Sequence, residues 1–419
     1  VSPPVSLIIS PNRTQHFTSV SLSLSCEDQS NSDRWTVRRY LDSGWLDDCS
    51  SSLLGSQSGS TCTINSNITL DSGVYWCQSE SGKNSNPVNI TVHSGVILES
   101  PVHPVTEGDT LTLHCLYQHS TPPNLTADFY KDGSLIQSQT TEMIISTVSK
   151  SHEGFYYCKH PYGESPKSWI SVRERRKTAY KTTYSNLQPL WVIGVSPPVS
   201  LIISPSRTQH FTSVSLSLSC EDQSNSDVRW TVRRYTDSEQ LEDCSSSDWG
   251  SQTGSTCTIR STIPSDTGVY WCQSESGENS HPVNITVHSD VILESPVHPV
   301  TEGDTLTLRC LYQHSTSPNI RADFFKDGSL IQNQTTQMII STVSKSHEGF
   351  YYCKQPERMR ESPKSWISVT VSHSESQISV LHTLSSVLTV CPYLLVTVVL
   401  IFKCCRMRVT SVEEQETAI

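Results

Sequence analysis

The sequence predicts an all-β chain of four tandem β-sandwiches, each pinned by an internal disulfide, followed by one C-terminal transmembrane helix. Three observations predict it. Twelve of the fifteen cysteines fall into two copies of one pattern, at 26, 49, 62, 77, 115 and 158 and again at 220, 244, 257, 272, 310 and 353. The residues around them alternate apolar and polar in short runs, the period of a strand with one buried face. An uncharged run of nineteen residues, 384–402, stands near the C-terminus.

The chain has 419 residues and a formal net charge of −11. That length accommodates about two to four domains, and an acidic balance argues against a nucleic-acid binder, which carries a clustered basic face. A repeat sets the domain number. Residues 1–32 recur at 195–226, Val228 is an insertion in the second copy, and SPVHPVTEGDTLTL at 100–113 recurs unchanged at 295–308. Each copy is too long for one small disulfide domain, so each holds two. The predicted boundaries are 1–93, 94–172, a linker at 173–194, 195–288, 289–372, a transmembrane helix at 380–402 and a tail at 403–419.

Within a copy the elements follow in order. Val20, Leu22, Leu24 and Cys26 alternate with serines and predict one strand; Trp35 in WTVRRY opens another. Asp71, Gly73, Tyr75 and Cys77 in DSGVYWC then complete a pattern: Cys on the second strand (B), Trp on the third (C), and a Tyr two residues before the Cys on the sixth (F). This is the immunoglobulin arrangement, in which the Trp packs on the inter-sheet disulfide and the Tyr hydroxyl fixes a corner. The remaining Trp and Tyr residues read as core and corner residues.

The second half of the copy varies the theme, with Leu111, Leu113, Cys115, Phe129 as the strand C aromatic, His152 in the Asp place, Tyr156 and Cys158. The predicted inter-sheet disulfides are therefore Cys26–Cys77, Cys115–Cys158, Cys220–Cys272 and Cys310–Cys353, each worth about 4 kcal/mol by the chain-entropy argument. Cys49 with Cys62, and Cys244 with Cys257, are predicted to form an extra staple across the strand C′ to strand E region, because cysteines in an oxidising compartment bond, with a reactive thiol pair as the alternative. The chain opens on Val1 without a secretory leader, which fits a removed leader or a longer parent chain. The basic run after Val172 breaks the repeat and predicts a truncated last strand in domain two; a linker is the plain reading and a basic cleavage site the second.

The span 384–402 nearly crosses a hydrocarbon core of about 30 Å. Twelve of its residues are Leu, Ile, Val or Phe, together worth roughly −4 to −7 kcal/mol on the insertion scale. Lys403, Arg406 and Arg408 follow, and positive charge marks the cytoplasmic side. This predicts a type I plasma-membrane protein contacting lipid through one helix. Cys404 and Cys405 are candidate S-palmitoylation sites, with free thiols as an equal alternative. The tail 403–419 has no tyrosine and the span no Asp, Glu, Lys or Arg, so signalling is expected to run through a lateral partner or to be absent. Six sequons, Asn12, Asn67, Asn89, Asn124, Asn284 and Asn333, predict a glycosylated ectodomain. No G-x-S-x-G or H-E-x-x-H motif occurs, and no cofactor, metal site or enzyme is predicted.

GVILESPVHPVTEGDTLTLHC, ADFYKDGSLI and SHEGFYYC resemble the second domain of Fc receptors and Fc receptor-like proteins, and DSGVYWCQSESGKNSNPVNITV is similar to their first domain. The extra cysteine pair resembles the fish branch. The resemblance covers 1–172 and 195–372. It implies a leukocyte surface receptor binding an extracellular protein ligand, of which immunoglobulin Fc is the family example. It places ligand contacts on the BC and FG loops of domain two, here Tyr117, Gln118, His160, Tyr162 and Glu164. The family's Fc-binding members clamp a proline between two Trp; this chain has Val96 (nearest duplicate Val291) near one place and Tyr117 and Gln118 at the other. Cell–cell adhesion and a non-signalling decoy are the alternative readings.

Overall fold

Strand alternation builds each domain from two sheets that close on a disulfide. The computed structural model describes residues 5–28, 34–49, 55–119, 126–175, 199–222, 228–236, 241–246, 248–314, 321–356 and 359–370. In domain one, Val5–Ser10, Leu22–Asp28, Thr61–Ile64 and Gly55–Ser58 form one sheet, in that order. Gln15–Phe17, Val88–His93, Gly73–Ser79, Trp35–Leu41 and Leu46–Asp48 form the other. Inward residues of both, including Leu22, Leu24, Trp35, Val37, Ile90 and the Cys26–Cys77 bridge, make one core. Domain three repeats it around the Cys220–Cys272 bridge. Domain two has a three-stranded sheet, Val96–Glu99, Leu111–Tyr117 and Glu142–Ile145, facing a sheet centred on Ala127–Lys131 and Gly154–His160; domain four repeats that. Their cores close on Cys115–Cys158 and on Cys310–Cys353. All four inter-sheet bridges thus join the cysteines that the duplicated spacing paired, with Cα atoms 5.8–6.0 Å apart. The transmembrane span 384–402, Cys404 and Cys405 lie outside the described residues, and among the described residues no helix is long and apolar enough to cross a membrane.

The corner residues show why their types matter. The Tyr75 hydroxyl donates to the Asp71 carbonyl at 2.6 Å, and Tyr156, Tyr270 and Tyr351 each donate to the carbonyl four residues back at 2.6–2.7 Å. Asp71 is buried and twice occupied: its carboxylate accepts from the Ile68 backbone at 2.9 Å and from the buried Arg39 guanidinium at 3.0 Å. In domain two His152 takes its place because ring Nδ1 accepts from the Ser149 N–H at 3.0 Å. The Cys49–Cys62 bridge ties the residue after Leu46–Asp48 to the strand Thr61–Ile64, and Cys244–Cys257 does the same in domain three.

Four expectations need correction. Val20 is 38% exposed and precedes its strand, which begins at Leu22. Phe129 does not replace Trp35: in the register Phe129 faces Cys158 as Val37 faces Cys77, and Ala127 stands two residues earlier, where Trp35 stands in domain one. The last strand of domain two is not truncated: Val172–Arg173 pairs with Val105–Thr106 as Val369–Thr370 pairs with Val300–Thr301. Trp76 belongs to no domain core, because Tyr75 and Cys77 face inward and Trp76 faces out.

Two kinds of domain contact follow. Within a copy, the Gln15 carboxamide bridges domains one and two: its nitrogen donates to Pro166 O at 2.8 Å and Ser168 Oγ at 2.7 Å, and its oxygen accepts from Leu98 N at 2.8 Å. Phe17, Ile97 and Leu116 pack beside it, and Gln209 repeats the bonds in the second copy. Between copies, domain one packs on domain four and domain three on domain two. Trp76 sits 5.1 Å from Phe350 and 5.7 Å from Trp366 by ring centroid; Trp271 sits 5.1 Å from Phe155 and 5.8 Å from Trp169.

The elbow strand carries an acid-sensitive group. His16 is buried beside Gln15, and burial, reinforced by the Arg13 charge, lowers its pKa to about 4; His210 is lowered likewise to about 4. An unfolded His titrates near 6.5, so between these values the unfolded chain binds more protons and stability falls as pH falls. The loss reaches at most about 3 kcal/mol per histidine below pH 4. Thermal unfolding at pH 7 and pH 4.5 checks this: His16→Gln with His210→Gln should lose less Tm on acidification than the unaltered protein, and an equal loss would contradict it.

Candidate functional site

The strand Leu111–Tyr117 ends opposite Val96, at the elbow end of domain two, and the strand Gly154–His160 ends beside it. Their ends bring Tyr117 and His160 together, and the turn after His160 folds Tyr162 over them. Tyr117 and Tyr162 stack with ring centroids 4.9 Å apart and planes 21° apart. His160 lies 5.9 Å from Tyr117 and 5.0 Å from Tyr162, and His119 meets Tyr117 edge-on at 5.7 Å. Burial lowers the His160 pKa. Ring Nδ1 of His160 accepts from the Tyr162 backbone N–H at 3.3 Å, which fits the neutral ring. Tyr162 is 68% exposed. The result is an aromatic platform, exposed at Tyr162 and half-buried at Tyr117 and His160, whose members hold one another in place.

Of the five expected contact residues, three meet in this platform and two do not. Gln118 turns away to the elbow: its carboxamide nitrogen donates to Thr18 O at 2.8 Å, and its backbone N–H to Gly95 O at 2.9 Å. It is an interdomain fastener, as is Gln313, which donates to Thr212 O at 2.7 Å. Glu164 pairs with Lys159 at 3.1 Å and with Lys167 at 3.6 Å. The Lys159 pKa is raised, chiefly by its hydrogen bond to Glu164. These ions flank the platform rather than complete it. Val96, near the other Trp place of the family's Fc-binding members, is buried in the domain two core.

The duplicate lacks the platform. Domain four keeps Tyr312 and His314 edge-on at 6.1 Å, but Gln355 replaces His160 and is buried, and the turn instead exposes Met359 at 74%. The sequons also divide. Asn12, Asn89, Asn284 and Asn333 are exposed, Asn124 lies outside the described residues, and Asn67 is fully buried. Its backbone N–H donates to Val20 O and its carbonyl accepts from Ser19 N, so its side chain points inward where Thr262 sits in domain three. A glycan on Asn67 does not fit this fold.

Sequence reasoning missed Gln15 and Trp76. A glutamine in a strand of three buried residues, Gln15–Phe17, gives no signal of its partner. Trp76 did give one: Tyr75, Trp76 and Cys77 are consecutive large apolar residues, and a strand apolar on both faces is covered on both.

Disulfide-pinned two-sheet domains with tyrosine corners define the class, an immunoglobulin-superfamily chain. The family model described as "Immunoglobulin domain" matches residues 95–169 and 290–371. The chain is 27% identical to human Fc receptor-like protein 5 over 72% of its own length and 32% of that protein's, and 26% identical to human Fc receptor-like protein 4 over 84% and 69%. It is also 35% identical over 107 residues to the mouse low affinity immunoglobulin gamma Fc region receptor II, covering 25% of this chain and 32% of that one. These similarities support an Fc receptor-like member of the immunoglobulin superfamily. It spans about a third of Fc receptor-like protein 5, and its likenesses point to a non-enzymatic protein.

The geometry separates fasteners from platform. Gln118→Ala should lower the unfolding temperature of the domain one–two transition, at about 2–4 °C per kcal/mol, with about 1–3 kcal/mol lost from unpaired groups. Tyr162→Ala should shift stability by no more than about 0.5 kcal/mol, as exposed substitutions do. Calorimetry of both variants checks this; equal losses would contradict the division.

Proposed function

We propose that the chain is a single-pass cell-surface immune receptor whose immunoglobulin ectodomain captures an extracellular protein ligand through the aromatic platform of domain two. The observation that carries this is the stack of the exposed Tyr162 on the half-buried Tyr117, with His160 beside it. Rigid aromatics with one wet face anchor protein interfaces at low entropy cost. The similarity to an immunoglobulin gamma Fc region receptor makes an immunoglobulin the first ligand class to test. The chemistry differs from a proline clamp between two Trp, so a flat platform reads a broader surface here. The span 384–402 supports type I membrane anchoring, with Cys404 and Cys405 as acyl sites at the inner face and a lateral membrane protein as signalling partner. Asn12, Asn89, Asn284 and Asn333 are the sequons whose exposure suits glycans. The six disulfides, Cys220–Cys272 and Cys310–Cys353 among them, suit an extracellular, oxidising setting.

The test is surface-plasmon binding of the ectodomain to purified immunoglobulin classes and to intact leukocytes. Tyr117→Ala with Tyr162→Ala should weaken whichever binding is found by about 10–100-fold, the loss of a hot spot, with Met359→Ala unaffected. Unchanged binding in the tyrosine variant would move the site off domain two.

A further inference from the structure

The two contacts between copies are made of the same residues. In the first, Arg38 donates to Asp327 O at 2.9 Å, Gln78 to Asp327 Oδ2 at 2.9 Å and Asn84 to Glu348 O at 2.7 Å. In the second, Arg233 donates to Asp132 O at 3.0 Å, Gln273 to Asp132 Oδ2 at 2.9 Å and Asn279 to Glu153 O at 2.6 Å. Lys364 lies over Tyr40 at 5.2 Å, and Lys167 over Tyr235 at 5.1 Å. The aromatic clusters match ring for ring, Tyr40, Trp76, Phe350 and Trp366 against Tyr235, Trp271, Phe155 and Trp169.

Each copy therefore carries both sides of the interface. Domain one presents Arg38, Tyr40, Trp76, Gln78 and Asn84; domain two of the same copy presents Asp132, Phe155, Lys167 and Trp169, the types that domain four offers. The rigid elbow holds the two sides of one copy in fixed relation. A surface that contains its own complement, in fixed relation, is the requirement for an isologous pair, in which residue i meets j and j meets i. Strand residues Arg173 and Val199 are separated by twenty-five residues, 174–198, which reach roughly 80–90 Å when extended. Nothing in the contacts distinguishes a copy on the same chain from a copy on another.

We propose that this surface is a self-recognition site whose second partner, besides the other copy of its own chain, is a copy belonging to a second chain, so that closed chains exchange into pairs through the same contacts. A tether of this length holds the partner copies at an effective concentration near the millimolar range. Closure within one chain wins in dilute solution, and exchange gains as chains crowd on a membrane.

Removing the tether tests this on the full chain. A protease site placed between residues 180 and 190 is cleaved in detergent micelles, using two preparations whose N-terminal copies carry different tags, which are then mixed. Native mass spectrometry should find N-terminal fragments of both tags paired with one another as well as with C-terminal fragments. Trp76→Arg, which sits outside the domain one core, enters both contacts of an N-terminal pair but one of a mixed pair. It should abolish the first and leave part of the second. Fragments that separate as monomers on cleavage, or that pair with C-terminal fragments alone, would overturn the proposal.

Discussion

The arrangement of the four domains rests on two buried aspartates. Asp132 and Asp327 each sit on a left-handed turn, at φ of 49° and 48°, where a hairpin leaves the sheet. One carboxylate oxygen accepts from the chain's own neighbouring strand, Phe155 N or Phe350 N, both at 2.9 Å. The other accepts two carboxamides from the other copy, Gln273 and Asn279 or Gln78 and Asn84. The adjacent lysine, Lys131 or Lys326, lies within 3.2 Å of it and balances its charge. A buried carboxylate is tolerated only when paired and hydrogen-bonded. Half of these donors come from the other copy, so an opened chain would leave each aspartate with fewer partners and each Trp of the YWC motif in water.

Much of the domain architecture was legible because immunoglobulin domains write their chemistry locally. The spacing of Cys, Trp, Asp and Tyr reports a disulfide, a core plug and a corner, and each of those contacts closes within one domain. The second copy shows it again, where Cys220 meets Cys272 and Cys310 meets Cys353 at the spacings of the first. Strand alternation failed where the cause was tertiary. Val20 continued a period-two pattern into a turn, and Phe129 copied the type of Trp35 without its register place. The repeat itself hid the packing between copies, because duplication reads as tandem order and says nothing of which faces meet. The clue lay in Trp76 and Phe155, with their duplicates Trp271 and Phe350, apolar on the outward phase of their strands.

The candidate site was half legible. Aromatic residues at loop ends are recognisable by type, and Tyr117, His160 and Tyr162 converge. Gln118 and Glu164 were drawn elsewhere, Gln118 by Thr18 across the elbow and Glu164 by its near neighbours Lys159 and Lys167. The elbow and the platform also share a strand: Leu116 packs into the elbow while Tyr117 enters the stack. Ligand contact on the platform would therefore load the same strand that fixes the angle between domains one and two.

The copies pack face to face through Trp76 and Trp271. Hydroxyl-radical footprinting of the intact chain reads it directly, with Trp45, 73% exposed, as the internal standard. Trp45 should oxidise rapidly, and Trp76 and Trp271, which have no exposed surface, should be protected. Labelling of Trp76 and Trp271 at the rate of Trp45 would show the faces open to solvent and contradict it.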